Sequence, residues 1–283
     1  KHFAANSQEL RRMASNSVLD ERTLRELYLT AFEIVVREAH PKAIMSAYNK
    51  VNGVYANENE HLLLDILRKD WGFDGAVITD WGGANDHVEG VKNGSTLEMP
   101  SPGLGAARRL LEALEAGELS EHTIDERVDE LLELALSTDK AIQTAPKKFD
   151  EAAHHLLAKR AAAESIVLLK NEDGILPLNP CSKITLIGDF VRTPRYQGAG
   201  SSMVNPTRLD SLADVAEAAG LNLIGYCSGY ERSGKPNKAY RDEAVTQAKL
   251  ADVVVLCIGL DESSESEGLD RTHICIPAVQ KEL

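Results

Sequence analysis

The sequence predicts an α/β protein with two domains. In residues 1–136, short apolar strands alternate with amphipathic helices across short connections, which is typical of a parallel sheet. Within 137–160 this periodicity weakens in a stretch that contains a proline and several lysines, and we interpret that stretch as a linker. A second alternation of strands and helices follows in residues 161–283.

The elements of the first domain follow from the spacing of its apolar residues. A helix is predicted over 17–38, with Asp20 as its candidate N-cap, and short apolar runs predict strands over 43–48 and 75–79. Further amphipathic segments predict helices over 58–69, 106–116 and 123–136.

The second domain is predicted from the same two patterns. A helix begins at about residue 154, and the remaining segments predict strands over 184–187, 221–227 and 253–258 and helices over 211–219 and 241–251. The glycine-rich stretch 198–202 matches neither the dinucleotide-binding nor the phosphate-loop pattern, so we predict no nucleotide cofactor. It fits a flexible loop near a polar ligand as well as a simple surface turn.

Composition excludes several classes of partner. The 283-residue chain carries a formal net charge of −13, which disfavours binding to nucleic-acid phosphates or anionic membranes. No stretch approaches the ~20 apolar residues that span a bilayer. The four cysteines form no CxxC pair, and no histidines and carboxylates have metal-ligand spacing, so we predict no metal site. The sequence leaves localisation open between cytoplasmic and secreted or periplasmic, and it leaves a homo-oligomer open.

The first candidate site follows the predicted strand 75–79. The sequence there reads TDWGG, so Asp80 and Trp81 stand where a parallel sheet usually binds its ligand, and the two glycines allow a sharp turn. Position alone supports two interpretations equally: Asp80 is a functional carboxylate, or it caps the next helix.

The second candidate site is an acidic stretch after the predicted strand 253–258. It reads DESSESEGLDR from 261 to 271, and acidic runs of this kind are usually solvated loops. The compact ending EGLDR instead favours a fixed loop from which Glu267 or Glu265 projects. Asp80 and one of these glutamates would supply the two carboxyl groups that glycoside hydrolysis needs, and the indole of Trp81 would stack on a sugar face.

Several motifs together resemble glycoside hydrolase family 3. KHFAANSQE (1–9), MSAYNKVNG (45–53), WGFDGAVITDWGG (71–83) and LEMP (97–100) are similar to the barrel domain of that family. AAAESIVLLKNEDGILPL (161–178) and ESEGLDR (265–271) are similar to its second domain. The motifs occur in family order over essentially the whole chain, and in combination they are highly specific.

The resemblance implies the fold and the roles of particular residues. It implies the later part of a (β/α)8 TIM-like barrel in residues 1–136 and an α/β sandwich, incomplete at its C-terminus, in 161–283. It assigns the nucleophile to Asp80, although serine is commoner than threonine at position 79, and the acid/base to Glu267, with Glu265 as the runner-up. It further implies that the sugar is bound by Lys1, His2, Tyr48 and Trp81.

The implied activity is that of a retaining exo-acting β-glycosidase without a cofactor. KHFAAN differs from the KHFPGHG-type motif of the N-acetylglucosaminidase branch, which favours a β-glucosidase acting on terminal β-D-glucosyl residues. β-Xylosidase and exo-β-glucanase remain alternatives, and a noncatalytic carbohydrate-binding protein is an alternative of another class. Retention would require the two carboxyl groups to lie roughly 5–5.5 Å apart in the active enzyme. The resemblance also implies barrel strands upstream of KHF, so we expect residues 1–283 alone to be neither stable nor active.

Overall fold

The computed structural model describes residues 1–145 and 148–283. The chain separates into two compact units, 1–147 and 148–283, and each unit combines helices with parallel strands. The predicted α/β class is therefore confirmed, whereas the domain limits 1–136 and 161–283 stay a prediction.

A parallel array of four short segments forms the centre of unit 1. Strands β2 (Ala43–Met45) and β5 (Ala76–Ile78) pair in parallel. Single parallel bridges add Phe3 beside Ser46 on one side and Leu97 beside Ile78 on the other. Because all four segments run in one direction, the residues that follow them emerge at the same edge. The two predicted strands of this unit are confirmed, although both are shorter than predicted.

Helices flank the array. The first, α1, is a continuous helical run over 21–39, which alternates between α- and π-helical geometry, and Asp20 caps it by accepting a hydrogen bond from the Thr23 amide, as predicted. The remaining helices of unit 1 are α2 (His61–Asp70), α3 (His87–Lys92), α4 (Leu104–Glu115) and α5 (Glu121–Thr144). One short 3-10 turn covers Ala56–Glu58.

A small second sheet lies beside the array. It contains β1 (Asn16–Ser17), β3 (Lys50–Val51) and β4 (Val54–Tyr55). Strands β3 and β4 form a hairpin whose turn residues, Asn52 and Gly53, both have positive φ. Asparagine and glycine tolerate that conformation best, which explains the turn.

The core of unit 1 is formed by the apolar faces of α1 and α2 against the array. Leu62, Leu63, Ile66 and Leu67 of α2 are fully buried, at helical spacing. Phe3 packs edge-on against Phe32 and Trp71, with ring centroids 5.1 and 5.9 Å apart. The segment that carries His2 is thereby held by the main core.

Unit 2 is built on a three-stranded parallel sheet. Strand β6 (Ile184–Ile187) lies between β7 (Leu223–Cys227) and β8 (Val253–Leu256), and every residue of β6 is buried. The helices of this unit are α6 (Glu151–Ser165), α7 (Leu212–Ala218), α8 (Lys238–Ala248) and α9 (Ala278–Glu282). Short 3-10 turns cover Glu172–Gly174 and Asp189–Val191. The three strands were predicted at these positions.

The described residues of the predicted linker over 137–160 are mostly helical, and the role of this stretch as a linker stays a prediction. Helix α5 continues to Thr144, and α6 begins at Glu151 after Asp150, whose carboxylate caps it by accepting from the Ala153 amide. Residues such as Ala, Leu, Lys and Gln favour a helix even without a clear apolar stripe. The predicted linker also includes Pro146 and Lys147, which lie outside the described residues.

In the parts of the chain that the structure covers, none of the helices is long and apolar enough to cross a bilayer.

Candidate active site

Three of the predicted site residues meet at one edge of the parallel array. His2 flanks Phe3, Tyr48 follows Ser46, and Asp80 follows β5 after Thr79. The fourth segment, Leu97, leads into Met99 at the same edge. The short strands thus bring together motifs that are about 80 residues apart in sequence.

Asp80 is held in a fixed, largely buried position. Its side chain is 13% exposed, and its Oδ2 lies 3.5 Å from Nε2 of His2. Its Oδ1 accepts the backbone N–H of Trp81 at 2.7 Å. The alternative that Asp80 caps the next helix is wrong, because Asp86 caps α3 by accepting the amides of Val88 and Glu89.

His2 is mainly neutral near pH 7. Burial lowers the pKa of His2 below its ordinary value of 6.5, while the negative charge of Asp80 opposes that shift. A neutral imidazole has one N–H to donate and one nitrogen to accept. His2 is therefore suited to hydrogen bonding with both Asp80 and a neutral hydroxyl group.

Lys1 does not contact Asp80 in this structure. Its side chain is exposed, and among residues 1–145 the basic partner of Asp80 at ion-pair distance is His2. The sugar-binding role that the resemblance implies for Lys1 stays a prediction.

Trp81 and Tyr48 form one polar and aromatic surface next to Asp80. The Tyr48 hydroxyl donates to the carbonyl of Trp81 at 2.9 Å, and Tyr48 itself is buried. The indole of Trp81 is 63% exposed, so a large flat apolar face is open to a ligand. The guanidinium of Arg12 lies 4.7 Å from the centre of the Tyr48 ring. Sequence reasoning missed Arg12, which stands in a stretch without a clear motif.

Thr79 connects the Asp80 turn to the neighbouring segment. Its buried hydroxyl accepts the Met99 amide at 2.8 Å and donates to the Met99 carbonyl at 3.1 Å. The Gly82 amide donates to the same carbonyl at 2.8 Å. Residues on both sides of Asp80 are therefore fixed to Met99, which restrains the carboxylate between them.

Asn49 is a second residue that sequence reasoning undervalued. It stands in a stretch that resembles a turn, yet it is fully buried, and its amide group lies 3.2 and 3.3 Å from the carbonyls of Ala4 and Ala5. These bonds hold the chain just after His2, so Asn49 supports the site from behind.

Glu267 lies in unit 2, on the loop that follows β8. Its backbone N–H donates to Ala199 at 2.9 Å, and its Oε2 accepts the amide of Ser201. A side chain at Gly200 would collide with Glu267, since a Cβ there would lie 2.4 Å from the glutamate Cβ. The glycine-rich stretch 198–202 therefore packs closely on Glu267. Together they line a cavity of about 500 Å³.

Glu265 has a different environment from Glu267. Arg195 donates to its carboxylate at 3.1 Å and to its carbonyl at 2.8 Å, and Arg271 lies 3.9 Å from its other oxygen. The carboxylate is engaged in the structure of the loop, although it lines the same cavity.

No group of three or more His, Cys, Asp or Glu side chains is arranged to hold a metal ion within 1–145 and 148–283. All four cysteines are free thiols.

Comparison with known proteins gives the family. Residues 1–134 match the glycosyl hydrolase family 3 N terminal domain, and residues 166–283 match the glycosyl hydrolase family 3 C-terminal domain. Thermostable beta-glucosidase B of Acetivibrio thermocellus is 45% identical over 293 residues, which cover 100% of this chain and 38% of that protein. An exo-alpha-(1->6)-L-arabinopyranosidase of Bifidobacterium longum is 41% identical over 290 residues, covering 99% of this chain and 38% of that protein.

A solved structure agrees with this assignment. The crystal structure of a family 3 beta-glucosidase from Bifidobacterium adolescentis superposes with a TM-score of 0.92 at 41% identity, covering 99% of this chain and 41% of that one. The chain thus spans about two fifths of the length of these relatives. With both of its halves matched and its fold shared, the chain belongs to glycoside hydrolase family 3.

Proposed function

We propose that the protein is a retaining, exo-acting β-glycosidase, with β-glucosidase as the favoured activity. The observation that carries the proposal is the fixed, largely buried carboxylate of Asp80, beside a neutral histidine and an exposed indole at the edge of a parallel array. Family membership and the identity to a beta-glucosidase support the same activity.

In this proposal Asp80 is the nucleophile. Its carboxylate attacks the anomeric carbon of a terminal β-linked sugar, and the bond to the leaving oxygen breaks as a glycosyl-enzyme ester forms. The hydrogen bond from the Trp81 amide and the restraint by Thr79 support this role, because a nucleophile must keep a constant orientation.

Glu267 is proposed as the acid/base, with Glu265 as the runner-up. Glu267 gives its proton to the leaving oxygen, then accepts a proton from the water that hydrolyses the ester, so configuration is retained. Both carboxylates accept hydrogen bonds in this structure, Glu265 from Arg195 and Glu267 from the Ser201 amide, so the preference for Glu267 rests on its place in the EGLDR motif.

The sugar-binding residues are proposed to be Lys1, His2, Tyr48 and Trp81, with Arg12 added from the structure. His2 lies next to Asp80, where its second ring nitrogen can accept a sugar hydroxyl, and Arg12 lies over Tyr48. Trp81 offers an apolar face for the C–H side of a ring. The substrate is accordingly a small glycoside or an oligosaccharide, and no cofactor takes part.

The finer architecture is also a proposal. The four parallel segments of unit 1 agree with the later part of a (β/α)8 TIM-like barrel, and the three-stranded sheet of unit 2 agrees with an α/β sandwich.

Other substrates of the same chemistry remain as alternatives: β-xylosides, β-glucans, and pentopyranosides such as those of the arabinopyranosidase relative. They would require the same two carboxyl groups. A noncatalytic carbohydrate-binding protein needs neither, and the presence of both Asp80 and Glu267 favours the enzyme.

The decisive experiment is to trap the glycosyl-enzyme in the full-length gene product. A 2-deoxy-2-fluoro-β-glucoside with a good leaving group should label the peptide that contains Asp80, as mapped by mass spectrometry. The D74N variant, which changes an exposed aspartate six residues earlier, should be labelled equally, and D80A should not be labelled.

Each other result has a definite meaning. A label on another peptide would overturn the assignment of Asp80. Absence of a label together with hydrolysis of other aryl glycosides would exclude glucose as the preferred sugar. Absence of both label and hydrolysis would favour the carbohydrate-binding alternative.

A further inference from the structure

The loop that carries Glu267 is unusually rich in like charges. Residues 261–271, here called the acidic loop, contain five carboxylates within ten positions, namely Asp261, Glu262, Glu265, Glu267 and Asp270. Like charges at this density repel one another, so a fixed loop needs compensating cations.

Arg195 is a cation from outside the acidic loop that reaches it close to Glu267, whereas Arg271, which lies 3.9 Å from Glu265, belongs to the loop itself. Arg195 lies after β6, and its side chain is only 17% exposed. Its Nη1 donates to the carbonyl of Leu260 at 3.3 Å and to the Glu265 carboxylate at 3.1 Å, and its Nη2 donates to the Glu265 carbonyl at 2.8 Å. One guanidinium thus joins the base of the acidic loop to a point two residues before Glu267.

A second arginine holds the other half of the loop. Arg232 makes two hydrogen bonds to Glu262, of 3.2 and 2.6 Å, and one to Asp189 at 2.8 Å, and it stacks over Phe190 at 4.5 Å. Arg232 therefore anchors the start of the loop at Glu262. Of the two arginines, it is Arg195 that contacts the part of the loop leading into Glu267.

The guanidinium group suits this task for a geometric reason. Its five N–H donors form a rigid planar fork that can bind a carboxylate and two carbonyls at once, whereas lysine offers a single ammonium without a fixed plane. Substituting lysine would therefore keep the charge and lose most of the geometry.

We propose that Arg195 is a positioning residue for the acid/base, with the Glu265 carboxylate and carbonyl as its anchor. Arg195 touches no reacting atom. It fixes the backbone at 265, and through two further residues it fixes the direction in which Glu267 presents its carboxyl group. The proposal rests on the role of Glu267 as acid/base, and it gives Glu265 a structural function in the same loop.

The test compares leaving groups of different acidity in the full-length gene product. A positioned acid matters most when the leaving group is poor, because a good one departs without a proton. We would measure kcat/KM for the 2,4-dinitrophenyl and phenyl β-glucosides in the wild type and in R195M, R195K, E265Q and E267Q. The control R160M removes an exposed arginine that pairs with Glu164 on α6, away from the acidic loop.

The expected pattern is graded. E267Q should lose about 10²–10⁴-fold on the phenyl glucoside, the range of a general acid, with little loss on the dinitrophenyl glucoside. R195M and E265Q should lose about 10–100-fold on the phenyl glucoside only, less than the loss expected when the general acid itself is removed. The kcat/KM of R195K for the phenyl glucoside should lie between those of R195M and the wild type. The R195M/E265Q double variant should lose no more activity than R195M. The activity of R160M should equal that of the wild type.

Three outcomes overturn the proposal while the role of Glu267 stands. These are wild-type kinetics in R195M, equal losses on both glucosides in R195M and E265Q, and additive losses in the double variant. Full activity of E267Q on the phenyl glucoside would instead reject Glu267 itself. Hydrogen exchange gives an independent measurement in case R195M folds poorly. E265Q should speed amide exchange within 261–271 and leave exchange within 76–82 unchanged. The same change in exchange rate in both segments would contradict the proposal.

Discussion

The two proposed catalytic carboxylates are held in opposite ways. Asp80 follows a buried strand, and its neighbours Thr79 and Gly82 bond to the backbone of Met99. Glu267 lies on an exposed acidic loop that arginine side chains fasten from outside. Asp80 is thus fixed mainly through backbone bonds of its chain neighbours. The loop of Glu267 also depends on charge-assisted side-chain bonds, which a single substitution can remove.

The largest effect should come from Asp80. D80A should lower kcat/KM by about 10⁴-fold or more, the scale seen when a catalytic nucleophile is removed. Azide should restore turnover by occupying the space of the lost carboxylate, and the product should be the α-glycosyl azide because one displacement inverts the anomeric centre. E267A should also respond to azide, but with the β-glycosyl azide, because azide then attacks the glycosyl-enzyme. Product anomers read by NMR distinguish the two sites, and the same anomer from both variants would contradict the assignment.

The next effect concerns the buried ion pairs of unit 1. Glu130 of α5 accepts hydrogen bonds from Arg68 and Thr96, and it pairs with Arg127 at 2.8 Å. Thr96 in turn accepts the Val77 amide of β5 at 3.0 Å. E130Q should lower the free energy of unfolding by about 3 kcal/mol, because the largely buried Arg68 loses its paired carboxylate and Arg127 keeps only Glu126, 3.4 Å away.

The matched control for E130Q is E133Q, which changes an exposed glutamate on the same helix. Chemical denaturation monitored by circular dichroism should show a change within about 0.5 kcal/mol for this variant. Equal destabilisation by both variants would mean that Glu130 is no more than a surface residue of α5.

A smaller effect is expected from Thr79, where two variants distinguish the contribution of the hydroxyl group from that of the side-chain shape. T79V removes the group that joins Thr79 to Met99, which should lower stability by about 1–3 kcal/mol and kcat by about tenfold. T79S keeps the hydroxyl and loses one methyl group, so its kcat should stay near the wild-type value. If T79S and T79V have the same kcat, restraint of Asp80 by the hydroxyl is refuted.

The smallest expected effect is a pH-dependent change in stability from an exposed ion pair of unit 1. Like the acidic loop of unit 2, this pair depends on side-chain charges. The hydrogen bond that His61 donates to the Glu21 carboxylate, and after it the one to Asp65, raises the pKa of His61 above its ordinary value of 6.5. The stabilisation is therefore full below pH 6.5 and is lost as the pH rises through the higher pKa of the folded state. An NMR titration should show this raised pKa.

The wild type should accordingly exceed H61Q in stability by a larger margin at pH 5.5 than at pH 8, within the ~0.2–1 kcal/mol typical of exposed pairs. H122Q, which removes a histidine whose side chain is 84% exposed, serves as the control. An unchanged margin between the two pH values would show that the His61 contacts contribute nothing.

Local patterns by themselves determined the order and kind of most elements. Strands such as Ile184–Ile187 and helices such as Lys238–Ala248 follow from apolar spacing, and the cap at Asp20 follows from side-chain chemistry at a helix start. Position after a strand, together with the family motifs, singled out Asp80 and the acidic loop. These signals lie within a few consecutive residues, so they can be seen without the fold.

Contacts between distant segments were decided only by the tertiary structure. Arg12 beside Tyr48, Asn49 under Ala4, Thr79 against Met99 and Arg195 on Glu265 each join segments 20 to 70 residues apart. No periodicity marks such pairs, because they arise from the register of neighbouring strands and from the way loops fold over strand ends. The sequence thus determined which groups are available for chemistry, and packing determined what holds each of them in place.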